Sequence, residues 1–223
     1  MKLIIFDVDG TLVDSQAHII AAMEFAFNAA DVAMPSRSEI LSVVGLSLPE
    51  LMVILAPDAT RSKIDELVAG YRNSYATLRT QMEQPAPFYP YALETLHELN
   101  ARDEVLLALA TGKSRRGVRH LLDSYDLHGM FVSIQTSDTH PSKPHPSMLE
   151  QALFDGGVDA VDAIMLGDTS FDMEMACNAK IRGIGVNWGY HSADILKGVG
   201  GIETILSDFR ELVPHLTNSG FLQ

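Results

Sequence analysis

Residues 3–15 read LIIFDVDGTLVDS. Leu3, Ile4, Ile5 and Phe6 form an unbroken apolar run, the pattern of a short strand buried on both faces. The run ends in two carboxylates, Asp7 and Asp9, followed by Gly10 and Thr11. A buried strand that ends in acids is costly unless something nearby balances the charge. The same design recurs downstream. Val105–Ala110 leads into Thr111-Gly112, and Phe131–Gln135 precedes a loop carrying Ser142-Lys143-Pro144. Ala163–Leu166 leads into Gly167-Asp168-Thr169-Ser170-Phe171-Asp172, and Gly183–Val186 is a further apolar run. Helical spacing separates these runs, over Ala92–Arg102, Ser114–Ser124, Pro146–Phe154 and Phe171–Ala179, with a last helix over Ser207–His215.

Buried strands alternating with helices predict an α/β chain with a Rossmann-like parallel sheet as its core. In such sheets ligands bind beyond the carboxyl ends of the strands, so the polar strand tips should share one rim. Residues 16–87 follow a different pattern. Apolar spacing is helical from Gln16 to Ala30, broken near GLSLPE and at Pro57, and resumes in an amphipathic helix over Arg61–Leu78. The segment EQPAPFYPY, residues 83–91, holds three of the ten prolines and reads as a linker. The expected organisation is an α/β core made of residues 1–15 and 88–223, with residues 16–87 inserted as an α-helical cap.

Bulk properties narrow the partners. Sixteen basic and 29 acidic side chains give a formal charge of −13, which repels nucleic-acid backbones and anionic membranes. A single cysteine fits a reducing compartment, and Cys177 falls among apolar helix residues, so a core position is expected. No apolar run approaches the ~18 residues of a membrane span, and the start of the chain does not resemble a secretory signal. The cytoplasm is the expected location.

The strand tips carry the chemistry. Asp7, Asp9, Asp168 and Asp172 on one rim would repel one another unless a cation lay among them. An all-oxygen donor set points to Mg²⁺ rather than zinc, and His140 and His145 lack the partners a zinc site needs. Thr111, Lys143 and the backbone at Gly112 are groups that hold phosphoryl oxygens. Metal, phosphate cradle and a spare carboxylate together suit phosphoryl transfer through an attacking Asp. Arg115 and Arg116, on the first turn of a helix, are candidates for contact with a substrate anion.

The four motifs DVDGT, ATGKS, SKPHPSM and GDTSFDM, in that order, resemble those of the haloacid dehalogenase superfamily, in its phosphoglycolate-phosphatase-like branch with a helical cap. The resemblance implies Asp7 as nucleophile, Asp9 as general acid/base, and Lys143 as the cation holding nucleophile and phosphate. It implies phosphate contacts from Thr111 and Gly112. It also implies Mg²⁺ held by Asp7, the Asp9 backbone carbonyl and Asp168, with Asp172 as ligand or support. Dehalogenases of the superfamily lack an Asp9-type residue, so phosphate chemistry is implied. The cap stretch VVGLSLPE, residues 43–50, resembles the part of relatives that contributes to substrate choice, which makes Gly45, Leu46 and Ser47 specificity candidates alongside Arg115. It holds no lysine, against a Schiff-base phosphonatase. The expected activity is hydrolysis of a small phosphorylated metabolite, a phosphoglycolate-like ester or pyrophosphate. A phosphomutase of the β-phosphoglucomutase type, or a non-catalytic phospho-acceptor or binding protein on the same fold, is the alternative.

Overall fold

The computed structural model describes residues 1–81 and 85–223. Six parallel strands form one sheet: β1 Lys2–Phe6, β2 Val105–Thr111, β3 Phe131–Thr136, β4 Ala163–Gly167, β5 Arg182–Val186 and β6 Ile202–Leu206. Their order is β3-β2-β1-β4-β5-β6. β1 lies at the centre, paired with β2 through Phe6↔Leu109 and with β4 through Phe6↔Leu166. The order reverses at β1, and the crevice at such a switch point is where this architecture binds ligands.

Alternation along β1 feeds a core on each face of the sheet. Ile4 and Phe6 join Leu96, Leu99, Val118, Leu122 and Leu212 on one face. Leu3 and Ile5 join Met148, Leu149, Met165 and Met175 on the other. The helices covering these faces are α5 Ala92–Asn100, α6 Arg115–Tyr125, α7 Ser147–Gly156, α8 Ser170–Asn178, α9 Ala193–Lys197 and α10 Leu212–Asn218. Cys177 is exposed and not in the core. Met173 and Ala176 turn α8 inward, and the helical step of about 100° carries Cys177 past that face.

The segment between β1 and α5 is helical: α1 Gln16–Ala29, α2 Arg37–Ser42, α3 Leu48–Leu55 and α4 Arg61–Gln81. It has its own apolar core, built on Met23, Phe27, Ile40, Met52, Ile64 and Leu67. The outgoing and returning strands of chain run side by side. Val13 bridges to Phe88 in antiparallel fashion, the Asp14 N–H donates to the Pro87 carbonyl at 2.8 Å, and that of Tyr89 donates to Leu12 at 2.9 Å. Of the proline-rich linker, Glu83 and Gln84 lie outside the described residues.

Three elements depart from the sequence expectation. β6 and α9 occupy a stretch that carried no predicted element, and the final helix begins at Leu212 instead of Ser207. Residues 209–211 form a 3₁₀ turn ahead of it, with the Asp208 side chain accepting from the Arg210 N–H at 2.8 Å. No helix among the described residues is long and apolar enough to cross a membrane.

Candidate active site

The carboxyl ends of β1 and β4 bring Asp7, Asp168 and Asp172 together, with one oxygen of each within 4.8 Å of the others. All three are buried. Lys143, also buried, arrives from the loop after β3 and places Nζ 2.6 Å from Asp172 Oδ1 and 2.8 Å from Asp7 Oδ1. The contact to Asp172 is an aligned hydrogen bond. The contact to Asp7 is an ion pair by distance, and neither Asp7 oxygen accepts an aligned hydrogen bond. Burial opposes the Lys143 charge, but Asp172 and Asp7 outweigh it and hold the ammonium above its ordinary pKa.

The other two carboxylates are fully engaged. Asp168 Oδ1 accepts from the Thr11 hydroxyl at 2.8 Å, and Oδ2 accepts from the Tyr190 N–H at 2.8 Å. Asp172 Oδ2 accepts from the Thr169 N–H at 3.0 Å and its hydroxyl at 2.7 Å. The Asp172 N–H returns a bond to that hydroxyl, closing a capping box at the start of α8. Asp172 therefore serves the helix cap, Lys143 and the acid cluster at once. Gly10, at φ +89°, lets the loop after β1 turn under Asp168, because a Cβ there would collide with that carboxylate.

Burial pushes the Asp7 carboxyl up from 3.8 to about 7, with Lys143 opposing and Asp172 adding to the rise. Burial, then Asp172 and Asp7, hold Asp168 well above the carboxylate range. A divalent cation fits this arrangement. Asp7 offers buried oxygens without aligned donors, and the donor set is all oxygen, which suits a hard ion.

Asp9 points away from the cluster. Its carboxylate is gripped by Lys113 Nζ, 2.8 Å from Oδ1 and 3.1 Å from Oδ2. Lys113 comes from the ATGKS stretch and was not singled out from the sequence. Burial opposes its charge, but Asp9 prevails and holds the ammonium above its usual pKa. Thr111 is buried at the tip of β2, where its Oγ1 accepts from the Lys113 N–H at 3.2 Å and keeps its own proton for another acceptor.

The helical segment closes over this rim. A cavity of about 530 Å³ lies between them, lined from below by Asp7, Asp9, Thr111, Gly112 and Lys113. From above come Gly45, Leu46 and Ser47. Contact is tight: a Cβ on Gly112 would lie 2.5 Å from the Gly45 carbonyl oxygen and 2.8 Å from that of Leu46. The Ser47 N–H donates to Ser142 Oγ, next to Lys143, at 2.7 Å. Arg115 is absent from the cavity wall, where Arg116, Arg72 and His120 are found instead. The reason is helical phase on the first turn of α6, where the Arg115 N–H is held by Asp138 at 2.6 Å.

The loop after β5 was also missed. Trp188 Nε1 donates to the Thr11 carbonyl at 3.0 Å, and the Tyr190 hydroxyl pairs with Ser15 at 2.9 Å. His191 accepts from the Ser170 N–H at Nδ1, 3.0 Å away, which leaves Nε2 to donate to the Ser42 carbonyl at 3.0 Å. It thus ties α2 to the start of α8. Its only sequence signal is a polar cluster, WGYHS, at a further strand tip.

A sequence profile described as haloacid dehalogenase-like hydrolase matches residues 4–186. The chain belongs to the haloacid dehalogenase-like hydrolases. It is 35% identical to a probable phosphatase, IndB, of Dickeya dadantii over 218 residues, covering 95% of this chain and 91% of that protein. It is 28% identical to a phosphoglycolate phosphatase of Agrobacterium fabrum, covering 96% and 91%. Among solved structures, the haloacid dehalogenase-like hydrolase SP0104 of Streptococcus pneumoniae superposes with a TM-score of 0.82 at 27% identity, covering 97% of this chain and 98% of that one. Family membership agrees with the six-stranded parallel core and its inserted helical cap.

Proposed function

We propose that this hydrolase is a Mg²⁺-dependent phosphatase acting on a small phosphate ester through an aspartyl-phosphate on Asp7. The observation that carries the reading is Asp7 itself. It is a buried carboxylate on the cavity floor whose oxygens have no aligned donor, while the neighbouring acids are fully hydrogen-bonded. The relatives named phosphatase and phosphoglycolate phosphatase support the same chemistry.

In the proposed reaction an Asp7 oxygen attacks phosphorus, and the bond from phosphorus to the leaving oxygen breaks. Asp9 gives that oxygen its proton. A water molecule then attacks the acyl phosphate, Asp9 takes the water's proton, and phosphate leaves with the Asp7 carboxylate restored. Thr111 and the Gly112 N–H hold the phosphoryl oxygens, and Lys143 balances charge between nucleophile and phosphate. Asp7, Asp168 and the Asp9 carbonyl would hold the ion, with Asp172 behind them. A bound Mg²⁺ supplies charge neutralisation at the transferring group. Residues 16–87 act as a cap that excludes water during attack and opens on the paired connections at Val13 and Phe88. Gly45, Leu46 and Ser47 then meet the leaving group, which limits substrates to small molecules.

A panel of phosphorylated metabolites, including phosphoglycolate and pyrophosphate, assayed with Mg²⁺ and with chelator, tests the reading. Phosphate release should require the ion and should vanish in Asp7→Asn with the fold intact. Retention of a tenth of wild-type turnover in that variant overturns the covalent mechanism.

A further inference from the structure

Lys113 stands in a place built for it. Its stem crosses the first turn of α6 at Gly117, where a Cβ would come within 2.9 Å of Lys113 Cγ and 3.1 Å of Cε. Glycine inside a helix costs stability relative to alanine, so its presence there calls for a reason. The space it leaves is the channel through which the lysine reaches Asp9. Above the ammonium lies Tyr75 of α4, its hydroxyl 3.4 Å from Nζ and its ring centroid 5.4 Å away. The lysine side chain is 12% exposed and that of Asp9 13%, so the pair is shielded but borders the cavity.

We propose that Lys113 is a positioning residue that fixes the orientation of the Asp9 carboxylate, with Gly117 as its seat and Tyr75 as the contact through which the closed cap holds it. This rests on the reading of Asp9 as the group that protonates the leaving oxygen. A carboxylate on a short side chain can rotate toward or away from that oxygen. Two contacts from one ammonium, at 2.8 and 3.1 Å, hold both its oxygens and fix the rotation. Because Tyr75 belongs to the cap, the lysine is confined on its upper side only while the cap is closed. Orientation of the acid is thereby tied to closure, when a substrate is enclosed.

The test compares an alkyl phosphate with p-nitrophenyl phosphate, whose leaving group needs no proton. Purified wild-type protein, Asp9→Asn, Lys113→Met, Lys113→Arg and Gly117→Ala are assayed with Mg²⁺ on both, with a thermal melt of each. Loss of general-acid help is worth ~10²–10⁴-fold on the demanding substrate. Asp9→Asn should show that selective loss. Lys113→Met should lose roughly 10²-fold in kcat on the alkyl phosphate and under about tenfold on the nitrophenyl ester, with smaller changes in KM. Lys113→Arg should recover part of the difference. Gly117→Ala should remain folded, with alanine's helix preference offsetting part of the cost of moving the lysine, and show the same selective loss because the lysine stem is displaced. If Asp9→Asn loses equally on both substrates, the assignment of the acid fails. If Asp9→Asn is selective but Lys113→Met and Gly117→Ala are not, the positioning role of Lys113 is refuted.

Discussion

Adding or chelating a divalent ion while changing pH probes the acid cluster directly. Burial raises the Asp7 carboxyl from 3.8 to about 7, a shift corresponding to roughly 4 kcal/mol in favour of the protonated form. The metal-free folded protein therefore holds this proton more tightly than the unfolded chain does. The resulting stability is fully present below about pH 4, declines as pH rises, and is gone above about pH 7. A divalent ion acts in the opposite sense, since it needs the carboxylates ionised. At a free concentration 100 times its Kd, an ion bound only by the folded state adds about 2.7 kcal/mol. For a chain of this size that is roughly 5–11 °C in Tm, at about 2–4 °C per kcal/mol. The expected result is a Mg²⁺-induced shift of that order at pH 8, falling below half of it at pH 5. Thermal melts in EDTA and in 10 mM Mg²⁺ at both pH values measure it. Equal shifts at pH 5 and pH 8, or a full shift at pH 8 in Asp7→Asn, would refute the placement of the ion at this cluster.

Three further outcomes follow from the same geometry. Lys143→Met removes the buried cation between Asp7 and Asp172, a change worth ~3–5 kcal/mol. Metal-free Tm should fall by roughly 6–20 °C, and a fall under about 2 °C would remove Lys143 from the charge balance. Gly10→Ala places a Cβ against the Asp168 carboxylate and within 2.8 Å of Tyr190, at a φ of +89° that disfavours any side chain. It should abolish the Mg²⁺-induced Tm shift and most turnover, and normal metal response would contradict the close packing. His191→Ala leaves the Ser170 N–H and the Ser42 carbonyl without partners, costing ~1–3 kcal/mol. Amide exchange should rise in α2 more than in the central strands, and uniform exchange across the chain would rule out a local tie between cap and core.

Strands buried on both faces were legible because nothing polar interrupts them: β1 and β4 read as apolar runs, and each ends in the acids that meet at the site. β6 escaped notice for the opposite reason. It is an edge strand, IETIL, with Glu203 exposed and only Leu206 buried, and such a segment has no continuous apolar signature. Helical phase limited the arginine assignment. Arg115 and Arg116 are about 100° apart on α6, and sequence spacing alone does not say which faces the cavity. Lys113 was hidden because its partner Asp9 lies 104 residues away, and an unpaired lysine beside a strand tip reads as solvated. Tyr190 and His191 were hidden likewise, since their partners come from the loop after β4, from α8 and from the cap.

The hydrogen bonds distinguish acids that residue type alone leaves equivalent. Asp7 and Asp168 at neighbouring strand tips and Asp172 on the first turn of α8 carry the same side chain, so residue type does not say which of them reacts. The donors around them differ. Thr11 and Tyr190 hold both oxygens of Asp168, and Lys143 with Thr169 hold both oxygens of Asp172. A carboxylate held by aligned donors is a fixed, weakened nucleophile and a well-oriented charge, suited to supporting a cation. Asp7 has the off-axis ammonium of Lys143 and the Val8 N–H nearby, neither in aligned geometry, and it lines the cavity. In the proposed reaction its lone pairs would meet phosphorus, and its burial would keep water from them. Asp9, held by Lys113, lines the cavity outside the acid cluster, where the proposed reaction would place the leaving group. That asymmetry supports the proposed roles, attack by Asp7 and proton transfer by Asp9, which the motif resemblance implies.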